Sequence, residues 1–216
     1  MLTKVEAVIF DLDGTLVDSM GIWKQIDIEY LAKFNLALPD DLQSSIEGMS
    51  FTETATYFKE RFQIPDDIDQ IKATWNEMTY HKYANEVPLK EGVLAFLELL
   101  KSRDIKMGIA TSNSRELVEV VIKNLKIDSY FDAIHTSCEV LKGKPSPDIY
   151  LLVSEKLGVS PDRCLVFEDV PQGILAGKNA GMKVCAVQDN YSKSYEDEKR
   201  QLADYFIDSF EELLEQ

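Results

Sequence analysis

The sequence predicts an α/β protein in which a mainly parallel sheet is flanked by helices and interrupted by an all-helical insert. From Pro88 onward, short apolar runs alternate with apolar stripes at helical spacing, the pattern of strand–helix–strand units. Between Leu16 and Pro88 the apolar residues keep the helical period and no strand pattern occurs. A chain of 216 residues has room for one main domain carrying a smaller insertion. The expected division is residues 1–16 with 88–216 as a Rossmann-like core, and residues 17–87 as an inserted helical domain.

The first strand is Ala7-Val8-Ile9-Phe10, an apolar run suited to burial on both faces. It stops at Asp11-Leu12-Asp13-Gly14-Thr15-Leu16, which places two carboxylates at the carboxyl end, where open α/β sheets hold ligands. Residues two apart in extended chain point the same way, so Asp11 and Asp13 are expected to share one target. Such a pair repels unless a cation sits between the acids or one holds a proton. A hard divalent cation suits the oxygen donors, and Mg²⁺ is the usual ion beside phosphate. Asp-Gly is also an ordinary turn, so the segment by itself leaves both readings open.

In the insert, Ile22, Ile26, Tyr30 and Phe34 form one helical stripe, widened by Trp23 and Leu31. A short helix ends near Gly48; Phe51, Ala55, Phe58 and Phe62 mark another, and Ile71, Trp75 and Met78 a further one. These aromatics are read as core packing. The chain is expected to leave the core near 17–18 and rejoin it near 86–88. Beyond that, strands are expected at 106–110, 131–135, 164–167, 184–187 and 205–207. Helices are expected on the stripe from Val93 to Leu100, on that from Leu117 to Leu125, and at 147–157, 173–180 and 210–215. The acid-rich stretch 195–200 reads as a solvated helix face.

Each polar cluster follows a predicted strand. Thr111-Ser112-Asn113-Ser114 offers a hydroxyl and N–H groups at a helix entry, able either to hold phosphate oxygens or simply to cap the helix through Asn113 or Ser114, with Glu116 placed for a capping box. Lys144 stands in the proline-stiffened Gly143-Lys144-Pro145-Ser146-Pro147, as a controlled point charge or as a surface lysine. Leu165-Val166-Phe167 delivers Glu168-Asp169 to the same sheet edge as Asp11. Four carboxylates, a lysine and a hydroxyl at separate strand ends point to a metal and phosphoryl site.

The net charge of −15, from 38 acidic against 23 Lys and Arg residues, argues against binding nucleic acid or an anionic membrane through bulk electrostatics. Cys138, Cys164 and Cys185 lack metal-ligand spacing, and the last two are expected in the core. No signal pattern or membrane-length apolar run is present, so a reduced, cytoplasmic protein is expected. His81 and His135 are given no role.

The ordered set Asp11-Leu12-Asp13-Gly14-Thr15-Leu16, Thr111, Gly143-Lys144-Pro145 and Glu168-Asp169 resembles the motifs of the haloacid dehalogenase superfamily, in its branch of small phosphatases and β-phosphoglucomutases. The helical insert stands where that branch carries its cap. The resemblance implies Asp11 as nucleophile, forming an aspartyl-phosphate, and Asp13 as acid then base. It implies Mg²⁺ held by Asp11, the carbonyl of Asp13, Asp169 and Glu168, with phosphate held by Thr111, Ser112, Asn113 and Lys144. It also implies a small phosphorylated metabolite as substrate for a cytoplasmic chain, expected as a monomer or weak homodimer. The mutases carry a phosphate-gripping arginine after a Gly-Val-Ser segment, whereas here Gly48-Met49-Ser50 is followed by Phe51. Hydrolysis of a phosphate monoester is therefore expected ahead of a mutase reaction, and a non-enzymatic binding protein last. Arg115, just past the phosphate loop, could reach a second anion or lie on the helix surface.

Overall fold

Strand β1 (Ala7–Phe10) lies in the middle of the sheet, fully buried, with strands paired on both sides. The computed structural model describes residues 1–214. Among them, six strands form one sheet in the order β3-β2-β1-β4-β5-β6, and every pairing is parallel. The others are β2 (Lys106–Thr111), β3 (Ala133–Thr136), β4 (Cys164–Glu168), β5 (Lys183–Val187) and β6 (Tyr205–Ile207).

Side-chain alternation along the strands divides the core in two. Val8 and Phe10 of β1 face one layer, packing with Phe96, Leu97 and Leu100 of α5 (Val93–Ser102) and Leu117, Val118 and Val121 of α6 (Arg115–Asn124). Ala7 and Ile9 face the other, against Ile149, Tyr150 and Val153 of α7 (Asp148–Leu157) and Ile174 and Ala176 of α8 (Pro171–Asn179). Burial of this kind contributes roughly 1.5–3 kcal/mol per large apolar side chain.

Four helices precede α5: α1 (Met20–Ala32), α2 (Leu42–Ile46), α3 (Phe51–Phe62) and α4 (Ile68–Asn85). They gather around an apolar cluster of their own, including Ile26, Tyr30, Phe58, Ile71 and Trp75. Reciprocal capping boxes start α3 (Ser50 with Glu53) and α4 (Asp67 with Gln70), which satisfies N–H groups that a helix start otherwise leaves bare. The chain enters and leaves this region through adjoining segments: Val17 bridges Leu89, and the Asp18 N–H donates to the Pro88 carbonyl at 3.0 Å.

Two expectations change. The closing helix expected at 210–215 is a single 3₁₀ turn, Phe210–Leu213, Glu215 lying outside the described residues. The acid-rich stretch forms α9 (Glu196–Leu202), but not as a wholly solvated face: Lys199 is buried, donating to the Val187 carbonyl at 3.0 Å and to Ser192 Oγ at 2.9 Å. Of the two caps expected for α6, Ser114 fills the role, its Oγ accepting from the Leu117 N–H, while Asn113 is engaged elsewhere. No helix among the described residues is long and apolar enough to cross a membrane. Cys164 and Cys185 are buried as expected, and Cys138 is exposed.

Candidate active site

The strand order places β1 between β2 and β4, so their carboxyl ends form one ledge. Asp11 follows β1 directly, its N–H donating to the Phe167 carbonyl at 3.0 Å; Thr111 ends β2 and Glu168 ends β4. Lys144, from the loop before α7, reaches under this ledge. Its Nζ donates to Asp11 Oδ1 at 2.6 Å and to Glu168 Oε1 at 2.5 Å. All three side chains are buried, as is Asp169. Tyr150 of α7 donates its hydroxyl to Glu168 Oε1 at 2.8 Å, and Thr15 donates to Asp169 Oδ1 at 3.2 Å.

Two glycines make room for this cluster. Gly14 turns the chain at φ +82°, and a Cβ there would collide with the Asp169 carboxylate; a Cβ at Gly173 would collide with that of Glu168.

One carboxylate oxygen each of Asp11, Glu168 and Asp169 lies within 4.8 Å of the others, a donor set able to hold a metal ion. Three buried carboxyls stand against one lysine, so the three cannot all ionise without further positive charge. Burial pushes Asp11 up to about 8, against the pull of Lys144 and with a further push from Glu168. Asp169 is raised well above the ordinary carboxylate range by burial, then by Glu168 and Asp11. Burial alone would lower Lys144, but Asp11 and Glu168 outweigh it and raise the lysine. Hard oxygen donors in a site short of positive charge fit a divalent cation such as Mg²⁺.

Asp13 lines the same cavity as Asp11. It lies beyond the end of β1, against the helical insert. There it accepts from Ser19 Oγ at 2.5 Å, from the Tyr83 hydroxyl, and from Asn113 Nδ2 at 2.8 Å. Trp23 Nε1 in turn donates to the Tyr83 oxygen at 2.6 Å. Tyr83, fully buried near the end of α4, has its phenol raised far above the ordinary value by burial and by Asp13. Asn113 thus contacts the second acid through its amide, while its N–H donates to Thr111 Oγ1 at 3.1 Å. That leaves the Thr111 O–H as a donor. Ser112 faces the insert, its carbonyl accepting from the Phe51 N–H at 2.9 Å.

Above the ledge lies a cavity of about 160 Å³. Asp11, Asp13, Thr111, Ser112, Asn113, Lys144 and Asp169 line it from the sheet side; Trp23, Phe51 and Trp75 are among the residues lining it from the insert. Every predicted site residue except Glu168 therefore opens on one chamber, and Glu168 supports it from beneath. The aromatics read as core are corrected in part: Trp23, Phe51 and Trp75 pack in the helical cluster and also wall the chamber. Arg115 is not among the lining residues; its guanidinium pairs with Glu139 at 2.7 Å, and the same carboxylate takes His135 Nδ1 at 2.6 Å.

A sequence profile of haloacid dehalogenase-like hydrolases matches residues 8–187. The chain belongs to that family. Relatives of this hydrolase include a phosphorylated carbohydrates phosphatase of Thermotoga maritima, 32% identical over 179 residues that make up 83% of each chain. Among solved structures, CbbY of Rhodobacter sphaeroides in complex with phosphate superposes with a TM-score of 0.86 at 28% identity, over 97% of this chain and 96% of that one. A β-phosphoglucomutase of Clostridium difficile gives a TM-score of 0.82 at 25% identity, over 97% and 93%.

Tyr83, Tyr150 and Lys90 were not singled out by the sequence. Lys90 Nζ donates to the Gly14 carbonyl at 2.7 Å and pairs with Asp189 at 2.9 Å, which pins the turn of the hydrolase's first motif. No local signal marks these residues: each lies in an unremarkable stretch and acquires its contact only across the fold.

Proposed function

We propose that this hydrolase is a Mg²⁺-dependent phosphatase acting on a small phosphorylated metabolite, with residues 17–87 as a cap domain that chooses the substrate. The observation that carries the reading is the convergence of Asp11, Glu168, Asp169 and Lys144 beneath a chamber also faced by Asp13. A divalent cation held by Asp11, the Asp13 carbonyl, Asp169 and Glu168 would offset charge on the transferring phosphoryl group.

The chain's own groups do the rest. An Asp11 carboxylate oxygen attacks phosphorus, forming an aspartyl-phosphate as the ester P–O bond breaks. Asp13 gives its proton to the leaving alkoxide, then takes one from the water that cleaves the acyl phosphate. Ser19, Tyr83 and Asn113 fix the position of this carboxyl for both transfers. Thr111 O–H, the Ser112 N–H and Lys144 hold phosphoryl oxygens. The mutase alternative needs a cation in the cap for a second phosphate, and among the described residues lining the chamber Lys144, on the sheet side, is the one basic group.

Asp11→Asn tests the reading. Phosphate release from an aryl phosphate with Mg²⁺ is expected to fall to background while the thermal melt stays cooperative. Turnover at the wild-type rate by that variant would refute the nucleophile.

A further inference from the structure

We propose that the cap side of the chamber selects phosphate monoesters whose alcohol carries an ammonium group, held between Asp27 and the ring wall of Trp23, Phe51 and Trp75. The proposal rests on the phosphatase reading and adds the class of leaving group.

The two sides of the chamber differ in charge. The sheet side holds Lys144 and the metal-type acids; the insert contributes two more carboxyls, Asp27 and Glu47, and no basic residue among those described. Asp27, on α1 one turn beyond Trp23, is 8% exposed and has no hydrogen-bond or ion-pair partner among the described residues. Burial alone pushes its carboxyl up to about 7. Lys24 shares an adjoining depression with Asp27 yet forms no ion pair with it. Glu47 is likewise pushed up to about 7, by burial first, although one of its oxygens accepts the Gln172 N–H at 3.3 Å.

A buried carboxyl without a donor is costly, and the cost falls when a ligand brings a donor or a positive charge. An anionic leaving group would meet two acids and no cation. A hydroxyl would satisfy a hydrogen bond but leave the charge unbalanced. An ammonium does both, and aromatic faces attract it further. The ring wall is continuous, Phe51 standing 6.1 Å from Trp23 and 5.5 Å from Trp75 between centroids. The rings meet edge to face, at 67° and 71°.

The test compares ω-aminoalkyl phosphates with ω-hydroxyalkyl phosphates of equal length, from two to six carbons, by kcat/KM for phosphate release with Mg²⁺. For at least one length the amine is expected to be favoured about tenfold, mainly through KM, as a desolvated cation on aromatic faces and a carboxylate warrants. In Asp27→Asn the ratio is expected to drop toward one. The wild-type comparison decides the matter even if that variant does not fold. Amine and hydroxyl esters hydrolysed equally at every length, or hydroxyl esters preferred, would overturn the amine proposal and leave the phosphatase reading standing. Failure to release phosphate from any ester, aryl phosphates included, would sink both.

Discussion

Replacing Lys144 with methionine removes a buried charge while keeping an unbranched stem of similar volume. The lysine side chain is 2% exposed and lies within 2.6 Å of Asp11 and 2.5 Å of Glu168. Burial pushes Asp11 up to about 8, so in the metal-free protein near neutrality the lysine is matched mainly by Glu168. Its loss leaves Glu168 with the Tyr150 hydroxyl and the Asp169 and Val170 N–H groups as donors, and no cation. Breaking a buried pair in this way costs about 3–5 kcal/mol. For a domain of this size that is a fall in Tm of about 6–20 °C. Mg²⁺ at about 100-fold its Kd adds about 2.7 kcal/mol to any fold that binds it, so both proteins are expected to melt higher with Mg²⁺ than with EDTA. The assay is thermal or urea unfolding of wild type and Lys144→Met at pH 7, with EDTA and with Mg²⁺, alongside phosphate release. A variant melting within about 2 °C of wild type in EDTA would show that the lysine does not compensate buried carboxylates, and the charge argument for the site would fail.

Tyr83→Phe deletes the hydroxyl that donates to Asp13 and accepts from Trp23. We expect kcat to fall about tenfold on alkyl phosphates and much less on aryl phosphates, whose leaving groups need little protonation; equal losses on both would mean that Tyr83 is merely structural. Away from the site, Asp204 accepts from Lys178 at 2.7 Å, Lys183 at 2.8 Å and the Val184 N–H at 2.9 Å. Burial opposes ionisation there, but these donors outweigh it and lower its carboxyl from 3.8 to about 2. The folded value is below the unfolded one, so the stabilisation is complete above about pH 4 and is lost as pH falls toward 2. With Lys183 61% exposed, screening leaves about 1 kcal/mol. Urea titrations of Asp204→Asn should show that deficit at pH 7 and its disappearance near pH 2; a deficit independent of pH would contradict it.

Ser19 shows how the site bends a local rule. It occupies the N-cap of α1, where a serine ordinarily accepts from the helix N–H groups for about 1 kcal/mol. Here its side chain makes no cap bond and donates to Asp13 instead. Asn113 does the same one position before the Ser114 cap of α6, giving its amide to Asp13. Reading either residue as a cap follows from residue type and position; knowing otherwise requires the partner 6 or 100 positions away. The aromatics show the same limit. A stripe at helical spacing states that Trp23, Phe51 and Trp75 avoid water, but helix packing and a ligand chamber both satisfy that.

Strand and helix order, the helical insert, and Asp11, Thr111 and Glu168-Asp169 as strand-end groups follow from the sequence, because period and strand termination are short-range properties of the chain; Lys144 stands in a loop eight residues past β3. The tertiary structure alone decided that Tyr83 and Trp23 reach from the insert to the second acid, and that Asp27 lies unpartnered in the chamber. Those facts depend on how two layers of helices and an insert come to rest against one another. Packing sums contacts between residues far apart in the chain, and no local pattern carries that sum.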